Sequence, residues 1–350
     1  MPTLDHNALA AFARGILLAA GVGDDEAGQV ADSLVAADLS GHESHGVVRL
    51  PWYCQQLDDG ELVAGAELET LHETAAAIVC DAQLGFGQVQ MHRLLRRVCD
   101  KANQTAVACG TLRNSGHIGR LSEYTEAVAT QGMAAMLWVN DNGVLRVVAP
   151  PGGTEPQVST NPISIAVPTD TGPLVLDTST SVVAQGKVLI HRLDNKPCPE
   201  GWLQDAEGNP TTDPTVLKAD PPGSILPTGG EAAYKGFGLS LLLDALVGGL
   251  SGGCCPPPQP GATLCNTVLV VVWDPAQMAG REHFLTQASG LVSAVRGSRR
   301  KPGVDAIRLP GDRSRQVRSE RVSAGIPVRD GTWQQLIQLA SRLGVQAPKT

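Results

Sequence analysis

The sequence predicts an α/β protein, and three features of it carry that prediction. From about residue 75 onward, short apolar runs of strand length alternate with helical or turn segments. The N-terminal stretches carry apolar residues at a helical period instead, and Pro- and Gly-rich segments mark loops between the rest. A chain of 350 residues, 42% hydrophobic and 18% charged, is long enough to bury one large core or two modest ones.

Along the chain, Asp5 to Ala20 places Leu9, Phe12, Ile16 and Leu17 on one helical face, and Gly21 stands where a helix would end. A second helix is expected from Asp25 to about Leu39, opened by acids that suit its N-terminal dipole and closed by Gly41. "GHESHGVVR" at 41–49 reads as a loop running into a third helix that ends at Asp59 and Gly60, with Ser44 as a candidate N-cap. The strand candidates are "AAAIVCDA", "TAVACGTLR", "MAAMLWVN", "ISIAVP" and "PLVLD". "KGFGLSLLLDALVGGLSGG" is a long apolar helix and "NTVLVVVWDP" a buried strand. "CCPPPQPGA" and "KADPPGSILPTGG" are expected to be surface loops. Past Pro302, "AIRLPGDRSRQVRSERVSAGIPV" reads as polar and irregular, and "DGTWQQLIQLASRLG" as a final amphipathic helix.

Composition narrows the function classes. The formal charge of −8 argues against binding a phosphate backbone, and the basic run from Arg296 to Lys301 is too short to reverse it, so no nucleic-acid partner is expected. No run approaches the roughly 18 apolar residues of a membrane span, and the first residues lack an export signal, which together suggest a cytoplasmic protein with no membrane partner. The eight cysteines are scattered without a C-x-x-C pair and read as reduced and structural.

Chemistry concentrates in "GHESHGVVR", which holds two of the chain's eight histidines. His42 and His45 invite a metal reading, but they lie three apart, whereas helical zinc hydrolases space theirs by four with the glutamate directly after the first. Ser44 as a nucleophile lacks the G-x-S-x-G elbow, and a hydroxyl adjacent in sequence to its histidine is poorly placed to reach it. The third chemistry is a histidine that moves a proton at neutral pH, with Arg49 four residues on to hold a carboxylate through two contacts. A capped helix start with two surface polar residues is the plain structural alternative.

Three further stretches carry polar groups at strand or helix ends. "NSGHIGRLSEY" at 114–124 follows a strand and precedes a helix, the place where a backbone turn approaches a phosphate closely, yet it lacks the dinucleotide spacing G-x-G-x-x-G and the later acid. His117 there is otherwise a turn residue. "STNPISIAVP" and "VLDTSTSVVAQGK" set hydroxyls, an amide and Asp177 at strand edges, where ligands bind in open sheets and where Asx and ST turns also form. Lys235 in "YKGFG" and Arg313 in "RLPGDR" are cations beside glycines, suited to phosphate unless merely solvated.

In this order, "DLSGHESHGVVRLPWYCQQLDDGEL", "DAQLGFGQ", "NSGHIGRLSEYTEAVATQGM", "STNPISIAVPT", "LDTSTSVVAQGKV", "YKGFGLSLLLDAL", "IRLPGDR" and "GIPV" resemble the malate/L-lactate dehydrogenases of the second type over nearly the whole chain. That family also holds ureidoglycolate, sulfolactate and diketogulonate dehydrogenases and a cyclic-imine reductase. The resemblance implies a non-Rossmann α/β cofactor-binding domain with a mixed sheet, packed on a helical substrate and dimerisation domain. Residues 1–110 with 304–350 would form the helical unit and 111–303 the cofactor unit. It implies a homodimer with the active site near the interface, and an NAD- or NADP-dependent enzyme acting on a 2-hydroxy or 2-oxo acid, with no metal.

By position, His45 would be the proton donor and acceptor, Ser44 its partner, His117 a pocket residue near substrate and nicotinamide, and Arg49 the carboxylate anchor with Thr160 and Asn161 beside it. Cofactor contacts would come from His117, Ile118, Gly119, Arg120 and Leu121, from Asp177, Thr178 and Ser179, from Lys187, from Tyr234 and Lys235, and from Gly311, Asp312 and Arg313. The imine-reducing branch has an acid where this chain has Lys187, which disfavours a cyclic imine. Arg313 would suit a 2′-phosphate, although Asp312 precedes it. The rival expectations are a catalytically silent binding protein on the same fold and a metal-dependent hydrolase using His42 and His45.

Overall fold

The computed structural model describes residues 1–349. At the N-terminus, Asp5 accepts the Asn7 and Ala8 amides and starts helix α1 (His6–Ala19), whose apolar stripe then faces inward. Helix α2 (Asp24–Leu39) opens on Asp24, Asp25 and Glu26, and α3 (Leu50–Asp58) has a proline in its first turn. These three meet the last helix, α10 (Asp330–Leu343), around Leu9, Phe12, Ile16, Leu34, Leu50 and Leu336. Strands β1 (Thr3–Leu4) and β12 (Ile326–Pro327) pair antiparallel and tie the two ends of the chain together.

The central layer is a seven-stranded sheet of β2 (Glu69–Glu73), β3 (Ala77–Asp81), β4 (Val107–Ser115), β5 (Ala134–Asn140), β6 (Ile163–Val167), β7 (Leu174–Thr178) and β11 (Asn266–Trp273). Their order is β2-β3-β4-β11-β5-β6-β7. Only β3 and β4 run parallel, so the sheet is mixed and lacks the repeated parallel crossovers of a Rossmann half. Strand β11 shows why its sequence is continuously apolar. Val268, Val270 and Val272 face α4 (Gly87–Thr105) and α5 (Ser122–Thr130), while Leu269 and Val271 face α7 (Ala233–Ser251).

A smaller lobe is built from α6 (Gln185–Leu193) and the short strands β8 (Leu203–Gln204), β9 (Pro210–Thr211) and β10 (Ser224–Ile225), around Val148, Val188, Leu203 and Ile225. Helices α8 (Arg281–Arg296) and α9 (Asp312–Ala324) complete the chain before β12.

Four expectations need correction. Strands β2 and β3 pair within the sheet and α4 packs on it, while Phe86 and Val89 join the core of the terminal helices, so residues 69–110 serve both bodies; periodicity marks a strand without saying which body it joins. The segment read as irregular after Pro302 contains the whole of α9, which has no buried residue and therefore no apolar stripe to reveal it. Within "KADPPGSILPTGG", Ser224 and Ile225 form a fully buried strand. Finally, the helix from Gly230 to Ser251 is long and apolar enough to cross a membrane by length and composition. It lies against the sheet through Leu243 and Val247, with Leu239, Leu242, Leu246 and Leu250 exposed along its outer side.

Candidate active site

The loop between α2 and α3 is wound as two successive 3₁₀ turns, Glu43–His45 and Val47–Arg49, and is therefore more compact than an open loop. Its anchor is Asp38, buried in the last turn of α2, whose side-chain Oδ2 accepts the Val47 amide at 2.9 Å. Gly46 is required beside it, because a Cβ built there would lie 2.0 Å from Asp38 Oδ1. Burial pushes the Asp38 carboxyl up to about 8.

On this frame Ser44 Oγ lies 3.0 Å from His45 Nδ1, so the hydroxyl does reach its sequence neighbour, and it is not an N-cap. His45 Nε2 has no protein partner among the described residues. Burial, then the cation of Arg49, drives the His45 imidazole down to about 3, leaving it neutral. The His117 ring stacks on it at 5.4 Å between centroids and 20° between planes. Tyr53 OH holds His117 Nδ1 at 2.8 Å, and Gln88 Nε2 donates to the same hydroxyl at 2.8 Å. His117 is also pushed well below the usual histidine range, by burial first and by Arg49 and His45 after it.

Arg49 donates its Nε to the Ser44 carbonyl at 2.7 Å, and its guanidinium sits 5.4 Å from the centroid of the Trp52 ring. No acceptor within the described residues engages its two Nη groups. The first turn of α6 closes the other side. A Cβ on Gly186 would come 3.1 Å from Ser44 Cβ and 3.7 Å from Arg49 Nη2, and the charge of the adjoining Lys187 is felt at His45. The turn thus holds a neutral imidazole and a cation with unfilled donors, the equipment for moving a proton on an anion.

Beside it lies a cavity of about 420 Å³ bordered by His42, Arg120, Ser122, Asp177, Gly311 and Ser314. The N-termini of α5 and α9 both open onto it, and Gly311 adopts φ +88° at the start of α9. Arg120 is buried with one nitrogen, Nε, lacking any acceptor, while Nη1 donates to Ser122 Oγ. Asp177 receives the Ser122 amide at 2.8 Å and its hydroxyl at 2.5 Å. An unmet buried donor, two helix starts and an acid at a strand end fit an anionic ligand that carries ribose hydroxyls.

The structure therefore brings His45, Ser44, His117 and Arg49 together, and sets Gly119, Arg120, Asp177 and Gly311 around or beside the cavity. Ile118 is buried and donates its amide to Asn266, and Leu121 caps α5. Thr178 is exposed, and Ser179 bonds the Ser181 carbonyl. Asp312 is engaged by Arg296 and Arg315, at 2.8 and 2.6 Å, whereas Arg313 is exposed. Tyr234 and Lys235 stand exposed at the head of α7 and are not among the residues bordering the cavity. Thr160 offers its carbonyl to Thr180. Asn161 donates its amide nitrogen to Asp244 at 2.8 Å and Ser240 at 3.0 Å, tying the segment before β6 to α7, and its buried Oδ1 has no partner among the described residues.

Sequence reading missed Trp52, Tyr53 and Gln88. The first two follow Arg49 at three and four residues, the helical spacing that would have shown them on its face. No group of three or more metal-ligating side chains gathers at His42 and His45 or elsewhere in the described residues.

The fold is built on a mixed sheet, and its site pairs a neutral histidine with an unfilled guanidinium next to a cavity. The chain belongs to the malate/L-lactate dehydrogenase family, whose profile matches residues 4–337. It is 34% identical over 347 residues to malate dehydrogenase of Pyrococcus horikoshii, covering 97% of this chain and 94% of the relative. It is 33% identical over 341 residues to L-lactate dehydrogenase of Cupriavidus necator, covering 96% and 97%. The solved malate dehydrogenase structure from Pyrococcus horikoshii superposes with a TM-score of 0.89 at 29% identity, over 99% of this chain and 97% of that one. The protein is a hydroxyacid dehydrogenase.

Proposed function

We propose that this enzyme transfers a hydride between a nicotinamide dinucleotide and C2 of a 2-hydroxy or 2-oxo acid, with His45 moving the proton and Arg49 holding the carboxylate. The observation that carries the reading is the pair on one turn: His45 with Nε2 unpartnered and Arg49 with both Nη groups unfilled. Nicotinamide supplies the hydride acceptor or donor. In oxidation, His45 keeps its Nδ1 proton on Ser44 Oγ, which leaves Nε2 bare to accept the hydroxyl proton. An imidazolium next to Arg49 would be unstable alone, and the substrate carboxylate offsets that repulsion by neutralising the guanidinium. The same anion therefore allows His45 to hold the proton it returns during reduction. Tyr53 and Gln88 fix the His117 ring against His45, so both imidazoles keep one orientation.

Arg120, Asp177 and Gly311 would hold the dinucleotide in the adjoining cavity, with Ile118, Gly119, Leu121, Thr178, Ser179 and Lys187 at its margins and Tyr234 with Lys235 as further contacts. Asp312 is neutralised by Arg296 and Arg315, which supports a free role for Arg313 at a 2′-phosphate and so favours NADP over NAD. We place the enzyme in the cytoplasm as a homodimer.

Absorbance at 340 nm with NADPH and NADH in turn, against pyruvate, oxaloacetate, sulfopyruvate, oxalurate and a diketo sugar acid, tests the reading. Coenzyme oxidation with one acid, faster with NADPH, is the expected result. Silence across the panel in folded protein that binds coenzyme would remove it.

A further inference from the structure

Helix α9 has no fully buried residue, yet it spans the two halves of the site. Its first turn borders the cavity through Gly311 and Ser314, and Ser314 Oγ lies 3.3 Å from His42 Nε2. Its third turn carries Arg321, only 17% exposed, which donates Nη1 to the Asp38 carbonyl at 2.5 Å and Nη2 to Glu43 Oε1 at 2.5 Å. Glu43 opens the 3₁₀ turn of Ser44 and His45, and the Asp38 side-chain Oδ2 holds the Val47 amide on the far side of His45. The residues flanking His45 are thus tied from both sides to the end of α2, and Arg321 closes the arrangement from outside. A guanidinium taken out of water costs free energy unless its donors are met, and here a carbonyl and a carboxylate meet two of them. A helix with no apolar stripe has little packing of its own to justify that cost.

We propose that Arg321 is a positioning residue for proton transfer: by joining the Asp38 carbonyl to the Glu43 carboxylate it sets the turn that presents His45, and through Ser314 and His42 the same helix links that setting to the coenzyme cavity. The inference rests on His45 as the proton carrier. Arg321 is not among the residues that border the cavity, and its role is to act through the turn it holds.

The test uses the full-length protein. Arg321→Ala should lower kcat about 30-fold while KM and the coenzyme Kd, read by NAD(P)H fluorescence, stay within about twofold. Guanidinium ion at about 10 mM, far below denaturing levels, should restore a substantial part of kcat by refilling the vacated contact. Glu43→Gln, which keeps the shape of the side chain, should lower kcat about fivefold, and it carries the test by itself if Arg321→Ala does not fold. Carbethoxylation of His45 by diethyl pyrocarbonate, followed by peptide mass, should be several-fold faster in either variant. That rate needs no substrate, so a parent enzyme silent at 340 nm would sink the dehydrogenase reading and leave this measurement standing. Parental kcat and parental His45 reactivity in the variants would overturn the proposal, as would a loss of kcat that guanidinium does not rescue and that tracks the unfolded fraction.

Discussion

Arg49 uses its Nε on the carbonyl of its own turn and keeps the fork of Nη donors for something else. A lysine there could supply charge but neither the fork nor the bond to Ser44, so Arg49→Lys should raise KM for the 2-oxo acid about 100-fold, with the coenzyme Kd unchanged. Steady-state kinetics with a parallel fluorescence titration would read both, and an unaltered KM would separate Arg49 from the carboxylate. His45→Ala should cut kcat by about 10²- to 10⁴-fold, the span of general acid–base catalysis, with coenzyme binding intact. Stopped-flow turnover checks this, and equal activity in variant and parent would take His45 out of the mechanism. The chemistry of this turn was legible because Ser44, His45 and Arg49 lie within six residues, and local geometry joined them. Tyr53 to His117 spans 64 residues and Arg321 to Glu43 spans 278, contacts that no spacing rule reaches.

At the scale of elements, the junction of α2 with the two 3₁₀ turns collects buried groups that titrate in opposite senses. His45 is neutral in the fold down to about pH 3, whereas in the unfolded chain it protonates near its usual 6.5. The unfolded state therefore binds more protons in that window, and this part of the stability is lost as pH falls from 6.5 toward 3. Asp38 works the other way. Its folded carboxyl keeps its proton up to about pH 8 while the unfolded one releases it near 3.8, so its contribution is complete below 3.8 and is lost as pH rises to 8. Asp38→Asn keeps an oxygen for the Val47 amide and removes that titration. Its melting temperature should consequently fall less between pH 5 and 8 than that of the parent, and identical slopes in differential scanning fluorimetry would show that Asp38 is ionised in the fold. Elements with an inward apolar stripe, α1 and α10 among them, were readable as sequence. Helix α9 was not, because its stability comes from pairs such as Arg315 with Asp312 and Arg321 with Glu43, not from a hydrophobic period.

For the whole molecule, the feature left open by a single chain is the outer side of α7. Leu239, Leu242, Leu246 and Leu250 fall three, four and four residues apart and form one stripe, with Leu242 66% exposed and Leu250 56% exposed. The inner side of the same helix is fully used, with Leu243 and Val247 under the sheet and Asp244 bound to Asn140 and Asn161. The run looks like a membrane span by composition because both of its sides are apolar. Removing such leucines from water contributes about 25 cal/mol per Å², and we propose a self-complementary pairing of two α7 stripes as the contact of the proposed homodimer. The double substitution Leu242→Glu with Leu246→Glu puts four carboxylates into that contact when two copies meet, and should yield a folded monomer. Size-exclusion chromatography with light scattering should then give twice the chain mass for the parent and one chain mass for the variant. A parent that is already monomeric at micromolar concentration would rule out the dimer, and a variant that stays dimeric would move the interface elsewhere on the surface.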